Sequence, residues 1–340
     1  MSSSPFNPEQ NAQRFNNLFV GGSIVLILIF SVALVFVLRY RPDADRPWRI
    51  AITNWPGFDY LYLAQEKGFL REQNLNIKLV PVNSRIDMRT AFERGVIDGY
   101  TAASMDVIDS VQNSRIPARI VLITDYSSGG DEILTDPSIT TVAELKGKRL
   151  GIESTTMLGH YMLQRALQNS GMDESSINLF PSSQTILSDL VRRNTLDGII
   201  TYEPFSTQIQ AVRPLHSLFN STQLPHEITD VVAVSPAMLE ALPDLSKRLQ
   251  RAWQSAMDYT IAHPDETHSI LAQRYNISVP QYVAMIPDAA TLDASQMQHL
   301  ANTNALAENI RRTLEILGKP LLPDDEISRT IAVWFQQESR

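Results

Sequence analysis

The chain of 340 residues contains no cysteine. That excludes disulfides, thiolate-bound metals and a cysteine nucleophile, and leaves no thiol near the N-terminus to carry a lipid. It does not fix the compartment. The common catalytic and nucleotide-binding signatures are missing as well: no HExxH, GxGxxG, GxxxxGK[ST] or GxSxG occurs. The six histidines are scattered, and His263 and His268 are five apart, not the four that would pair two ligands on one helix face. No metal and no cofactor is expected, and nothing argues for an enzyme. Basic charge is also scarce. Four of the 29 Lys/Arg and three of the 37 Asp/Glu precede Trp48, so the rest of the chain carries a net −9. An acidic domain without a basic, aromatic stripe is a poor partner for phosphate backbones, so nucleic acid is not an expected partner.

One long apolar run is present. Residues 18–38 carry no charge, and at 1.5 Å per residue they span roughly 31 Å, enough for the hydrocarbon core of a bilayer. The competing reading is a cleaved signal peptide, whose apolar region is usually about 7–15 residues. The run here is longer and is followed by Arg39-Tyr40-Arg41-Pro42, which favours an uncleaved anchor. Residues 1–17, rich in Asn, Ser and Gln, read as a disordered cytoplasmic tail, and 39–47 as a linker. The flanking charges disagree with that topology. Arg14 precedes the span, whereas Arg39, Arg41, Arg46 and Arg49 follow it, and taken alone this places the large domain in the cytoplasm.

Behind the anchor the chain repeats itself about one hundred residues on. Arg49-Ile50-Ala51-Ile52-Thr53 is echoed by Arg149-Leu150-Gly151-Ile152-Glu153, and Ile77–Pro81 by Ile177–Pro181. Ile97-Asp98-Gly99 returns as Leu196-Asp197-Gly198. Each copy reads strand, helix, strand, helix, strand, which predicts two α/β lobes with parallel sheets and a ligand space between them. From Pro243 onward the pattern is almost entirely helical, with Trp253, Tyr259, Tyr275 and Trp334 as core aromatics.

Ligands of open parallel sheets sit beyond the C-terminal strand ends, at helix N-termini. Here those places are Asn54–Phe58, Asn83-Ser84, Ala102–Ser104, Ser154–Met157, Ser183-Gln184 and Thr201–Glu203. Their Ser and Thr residues are helix caps or contacts for an anionic group. Trp55 before Pro56-Gly57 serves either as core or as a face for stacking. Glu203 either suits its helix dipole or recognises an amine, and Asp131, after two glycines, lines the cleft or ends a turn.

Asn54-Trp55-Pro56-Gly57 followed by Tyr62–Phe69 resembles the opening of the nitrate/sulfonate/taurine group of transporter substrate-binding proteins, which includes pyrimidine-precursor binders. Ser127–Asp131, Leu145–Lys148, the Ser/Thr stretch 154–156 and Asp197-Gly198 through Tyr202–Phe205 continue the match in order, over about residues 48–240. The resemblance implies a periplasmic-binding-protein-like (type II) fold: lobe 1 from 48–135 plus 231–340, lobe 2 from 136–230, with chain crossings near Thr135–Thr140 and His226–Asp230. It implies a small anionic or zwitterionic solute, and ABC permease and ATPase subunits as partners. Its ligand contacts fall on Trp55, Pro56, Ser84, Ser104, Thr155, Thr156 and Glu203, and Asp131 and Ser154 join them as candidates from their places at the turn and strand end. It also outweighs the arginines after the span and puts the domain on the extracytoplasmic side of a bacterial inner membrane. A ligand sensor and an enzyme on the same fold remain as alternatives. The related fungal-type pyrimidine synthases use a Cys-rich segment, which this chain lacks.

Overall fold

The two copies of the repeated strand take matching places in two sheets, each beside an edge strand. The computed structural model describes residues 46–82, 85–153 and 156–331. The expected tail and anchor, nearly all of the linker, Ser84, Ser154, Thr155 and Trp334 lie outside the described residues. Among the described residues no helix is long and apolar enough to cross a membrane.

The strands are β1 (Trp48–Ile52), β2 (Ile77–Pro81), β3 (Gly99–Ala103), β4 (Arg119–Ser127), β5 (Asp131–Thr135), β6 (Arg149–Glu153), β7 (Asn178–Ser182), β8 (Gly198–Tyr202), β9 (His216–Asn220), β10 (Thr229–Val234) and β11 (Ala289–Thr291). The first sheet runs β11-β4-β10-β3-β1-β2 and the second β7-β6-β8-β5-β9. β1 pairs parallel with β2 and β3, and β6 pairs parallel with β7 and β8. The remaining pairings are antiparallel, so both sheets are mixed and not purely parallel.

The repeated Asp-Gly has one physical cause in both lobes. Asp98 donates its N–H to Arg49 O (2.7 Å) and accepts Arg49 N–H on its carboxylate (2.8 Å). Asp197 does the same with Arg149, at 2.9 and 2.8 Å. The next residue must then slide beneath an antiparallel neighbour. A Cβ on Gly99 would stand 2.7 Å from Ala233 O, and one on Gly198 2.7 Å from Leu134 O. The central strands β3, β8 and β10 are buried along their whole length, in keeping with their mostly apolar sequences, Asp230 being the one charged residue among them.

Three expectations need correction. Residues 131–135, assigned to the first lobe, pair in the second sheet as β5. The chain therefore crosses at 128–130, not at 135–140, and returns over 221–228. The Ser221 hydroxyl ties the two crossings together. It accepts from Gly129 N–H at 2.7 Å and lies 2.8 Å from the Ser127 hydroxyl. The third correction is β11, a short strand within the expected all-helical tail, which pairs with β4.

The helix Leu245–Ala262 packs on the first lobe. Trp253 there is buried, donates Nε1–H to Leu292 O (2.9 Å) and meets Tyr60 edge to face at 5.3 Å. The helix Ala305–Ile316 touches both lobes. Its Asn309 amide donates to the carbonyls of His226 and Glu227 in the return crossing.

Candidate functional site

The strand ends of the two lobes meet around a single guanidinium. Arg85 is the first residue of the helix Arg85–Glu93, which follows β2. Its Nη1 lies 2.6 Å from Asp106 Oδ2 on the neighbouring helix Ser104–Asn113, and its Nε lies 3.3 Å from Glu153 Oε2 at the end of β6. The guanidinium carbon is 5.0 Å from the ring centroid of Tyr202, at the end of β8. Cross-strand pairing sets Asp131 beside Tyr202. Arg85 and Asp106 belong to the first lobe; Glu153, Tyr202 and Asp131 belong to the second sheet.

Asp106 also crosses the gap. Its Oδ1 accepts the N–H of Met157 (2.7 Å) and that of Leu158 (3.4 Å), at the start of the helix Met157–Leu167. This helix start was expected to offer N–H groups to the anionic part of a solute. It is instead capped by a carboxylate of the opposite lobe. Little room is left: about 10 Å³ remains among Arg85, Asp131, Glu153, Thr156 and Tyr202, at the lower limit of what one water fills. A larger open groove of about 840 Å³ lies elsewhere, between β4, the return crossing and the helices after residue 293.

Burial sets the electrostatics. It pushes the Glu153 carboxyl up to about 7, against the pull of Arg85, and Asp131 up to about 6, against Ser127 and Arg85. Asp106 is raised for the same reason. Burial opposes the charge on Arg85, but Tyr202, Glu153 and Asp106 more than offset this and hold it protonated. Behind this group, Asp125 and Asp230 are Cα partners on β4 and β10. Burial raises Asp125 to about 7, and burial together with Asp125 raises Asp230 well above the carboxylate range.

The expected contacts fall into four groups. Thr156 and Asp131 line the cleft, with Thr156 Oγ1 donating to Glu153 O at 3.4 Å. Trp55, Pro56 and Glu203 cluster at the first crossing. Trp55 is buried, donates Nε1–H to Asp125 Oδ2 (3.0 Å) and packs on Gly130, where a Cβ would stand 2.6 Å from the indole. Pro56 is buried in the turn after it. Glu203 donates its N–H to Gly130 O (3.0 Å), and its carboxylate is engaged by the hydroxyls of Ser206 (2.6 Å) and Thr207 (2.9 Å). Its observed partners are thus those of a helix-start residue. Ser104 is buried as the first helical residue and makes no capping bond. Ser84, Ser154 and Thr155 lie outside the described residues.

Sequence reasoning missed Arg85, Asp106, Glu153 and Tyr202. One signal for Arg85 was available, because a cation at the first position of a helix is disfavoured by the helix dipole and needs a partner elsewhere.

A family model described as "NMT1/THI5 like" matches residues 55–267. Among curated proteins, the 4-amino-5-hydroxymethyl-2-methylpyrimidine phosphate synthase of Aspergillus parasiticus is 24% identical over 236 residues, which is 63% of this chain and 66% of the synthase's own length. Among solved structures, the alkanesulfonate-binding protein SsuA from Xanthomonas axonopodis pv. citri, bound to MOPS, superposes with a TM-score of 0.65 at 19% identity, over 86% of this chain and 99% of that one. The zinc-bound ligand-binding component of an ABC-type import system from Staphylococcus aureus superposes with a TM-score of 0.67 at 12% identity, over 84% and 99% of the two chains. At such identities the superpositions establish the fold. The family match covers well over half of the chain, which is therefore a member of the NMT1/THI5-like family with a two-lobed, periplasmic-binding-protein-like architecture.

Proposed function

We propose that the chain is the solute-binding component of an ABC-type importer. Residues 18–38 hold it at a membrane, and the two lobes, outside the cytoplasm, close on a small organic solute that is passed to a permease. The observation that carries this reading is the buried meeting of Arg85 with Glu153 and Tyr202 between two sheets joined by two short crossings. The names of the solved relatives, an alkanesulfonate binder and an import-system component, support it. The excess of carboxylates in the cleft favours an amine-bearing or zwitterionic solute over a plain anion such as nitrate.

The test is native mass spectrometry of the detergent-solubilised chain for copurifying small molecules, followed by melting with each candidate. A solute at about 100 times its dissociation constant adds roughly 2.7 kcal/mol. At about 2–4 °C per kcal/mol that is a rise of several degrees. If amino acids, amines, sulfonates, nitrate and pyrimidines all leave both melting temperature and radius of gyration unchanged, the binding reading fails. A second reading, chemistry on a pyrimidine, draws on the name of the Aspergillus relative. Mass spectrometry separates the two: a solute recovered unchanged belongs to a binder, and a solute altered in proportion to protein belongs to an enzyme.

A further inference from the structure

The cleft between the lobes is already filled, by the chain itself. Arg85 stands where the helix dipole disfavours a cation, yet its guanidinium reaches across to the opposite lobe. There it lies against the Glu153 carboxylate at 3.3 Å and over the Tyr202 ring at 5.0 Å. A carboxylate combined with an aromatic face is the chemistry that recognises a planar cation. Both partners are buried, with 5% of Glu153 and 7% of Tyr202 exposed. The Arg85 Nε atom is also buried and, although paired with Glu153 at 3.3 Å, makes no aligned hydrogen bond to any described residue. Arg85 therefore sits in this recess without satisfying all of its own donors, as an occupant that a better-fitting group can replace.

Charge points the same way. Asp106, Asp131 and Glu153 surround this one guanidinium. An anionic solute would bring its charge against carboxyl groups whose own ionisation burial already opposes. It would also find the Met157 helix start taken, since Asp106 already accepts both N–H groups there. A cation that replaces Arg85 leaves the buried charge unchanged and releases Arg85 to water.

Building on the solute-binding reading, we propose that Glu153 and Tyr202 form a seat for a planar cation, that Arg85 fills this seat in the empty protein, and that the solute enters by delivering a guanidinium, amidinium or similar group in its place. Asp106 is the specificity residue that denies the neighbouring helix start to anions.

The experiment is titration calorimetry on the detergent-solubilised full chain and on Arg85→Met, which keeps most of the side-chain stem, with agmatine and benzamidine as cations and taurine and MOPS as anions. Removal of the resident cation should tighten agmatine or benzamidine by about 10- to 100-fold, the range of one charged hydrogen bond. Glu153→Gln in the same background should abolish that gain, and Asp106→Ala alone, which frees the Met157 and Leu158 N–H groups, should allow taurine to bind. The proposal is overturned if Arg85→Met leaves cation affinity unchanged or lower. It is equally overturned if the wild-type chain binds taurine or MOPS and Arg85→Met does not, because Arg85 is then an anion contact; in that case solute binding itself survives. If neither class binds any of these proteins while circular dichroism shows them folded, the seat is refuted, and the wider solute panel decides the solute-binding reading separately.

Discussion

Asp125 and Asp230 allow a quantitative test of the hinge. They face each other where the chain leaves and re-enters the first lobe, with 0% and 5% of their surface exposed. Asp125 accepts from Trp55 Nε1 at 3.0 Å on one oxygen and from the Thr124 hydroxyl at 2.8 Å on the other. Burial raises Asp125 from 3.8 to about 7 and Asp230 further. Between pH 3.8 and about 7 the folded protein therefore binds more protons than the unfolded chain. Stability contributed by the protonated pair is fully present below the unfolded value and is lost as pH rises through the folded one. About three pKa units at 1.36 kcal/mol each give a ceiling near 4 kcal/mol. Local relaxation reduces this to roughly 2 kcal/mol, or about 4–8 °C in melting temperature. Asp125→Asn keeps an amide oxygen for Trp55 or Thr124 and removes the buried carboxyl that must ionise as pH rises through about 7. Its melting temperature should exceed the wild type's by several degrees near pH 8 and match it near pH 5. Glu153 and Asp131 are raised in the same direction, so the wild-type slope is shared, and the difference between the two proteins isolates the pair. Parallel wild-type and Asp125→Asn curves across this range would refute the reasoning.

Gly198→Ala places a methyl 2.7 Å from the Leu134 carbonyl in a central strand; a loss of about 1–3 kcal/mol is expected in urea unfolding, and an unchanged midpoint counts against the close approach. Glu227 accepts from the Tyr161 hydroxyl (2.5 Å) and from Arg165 (3.0 Å) at the return crossing. Glu227→Ala should cost about 2–4 kcal/mol and speed hydrogen exchange over 221–228, whereas unchanged exchange there removes its role as a clasp. Topology is tested by fusing alkaline phosphatase or a cytoplasm-active fluorescent protein after Arg340. Phosphatase activity without fluorescence is expected, and the opposite result would vindicate the arginines that follow the apolar span.

Local patterns exposed the architecture wherever one strand carries its own signature. The repeat was legible because Arg49 with Asp98-Gly99 recurs as Arg149 with Asp197-Gly198, each glycine being one that the neighbouring strand requires. β5 escaped because it follows β4 after only three residues, 128–130, so that two strands in different sheets read as one strand and its loop. β11, at three residues, is too short to show an alternation. The site was half legible for a different reason. The topology rule located the correct strand ends, and Thr156 and Asp131 do line the cleft. A local pattern cannot show that Asp106 will cap a helix 51 residues further on, or that Arg85 will reach Glu153 across the gap. What it does contain is the contradiction that such contacts resolve. A polar residue placed in agreement with its own helix or turn, as Glu203 is, finds its partners locally at Ser206 and Thr207. Arg85 opposes its own helix dipole, and that opposition is offset by carboxylates from the neighbouring helix and from the other lobe. Arg85, set against its local preference, thus connects the lobes together with Asp106, a carboxylate that suits its own helix start and still caps the helix opposite.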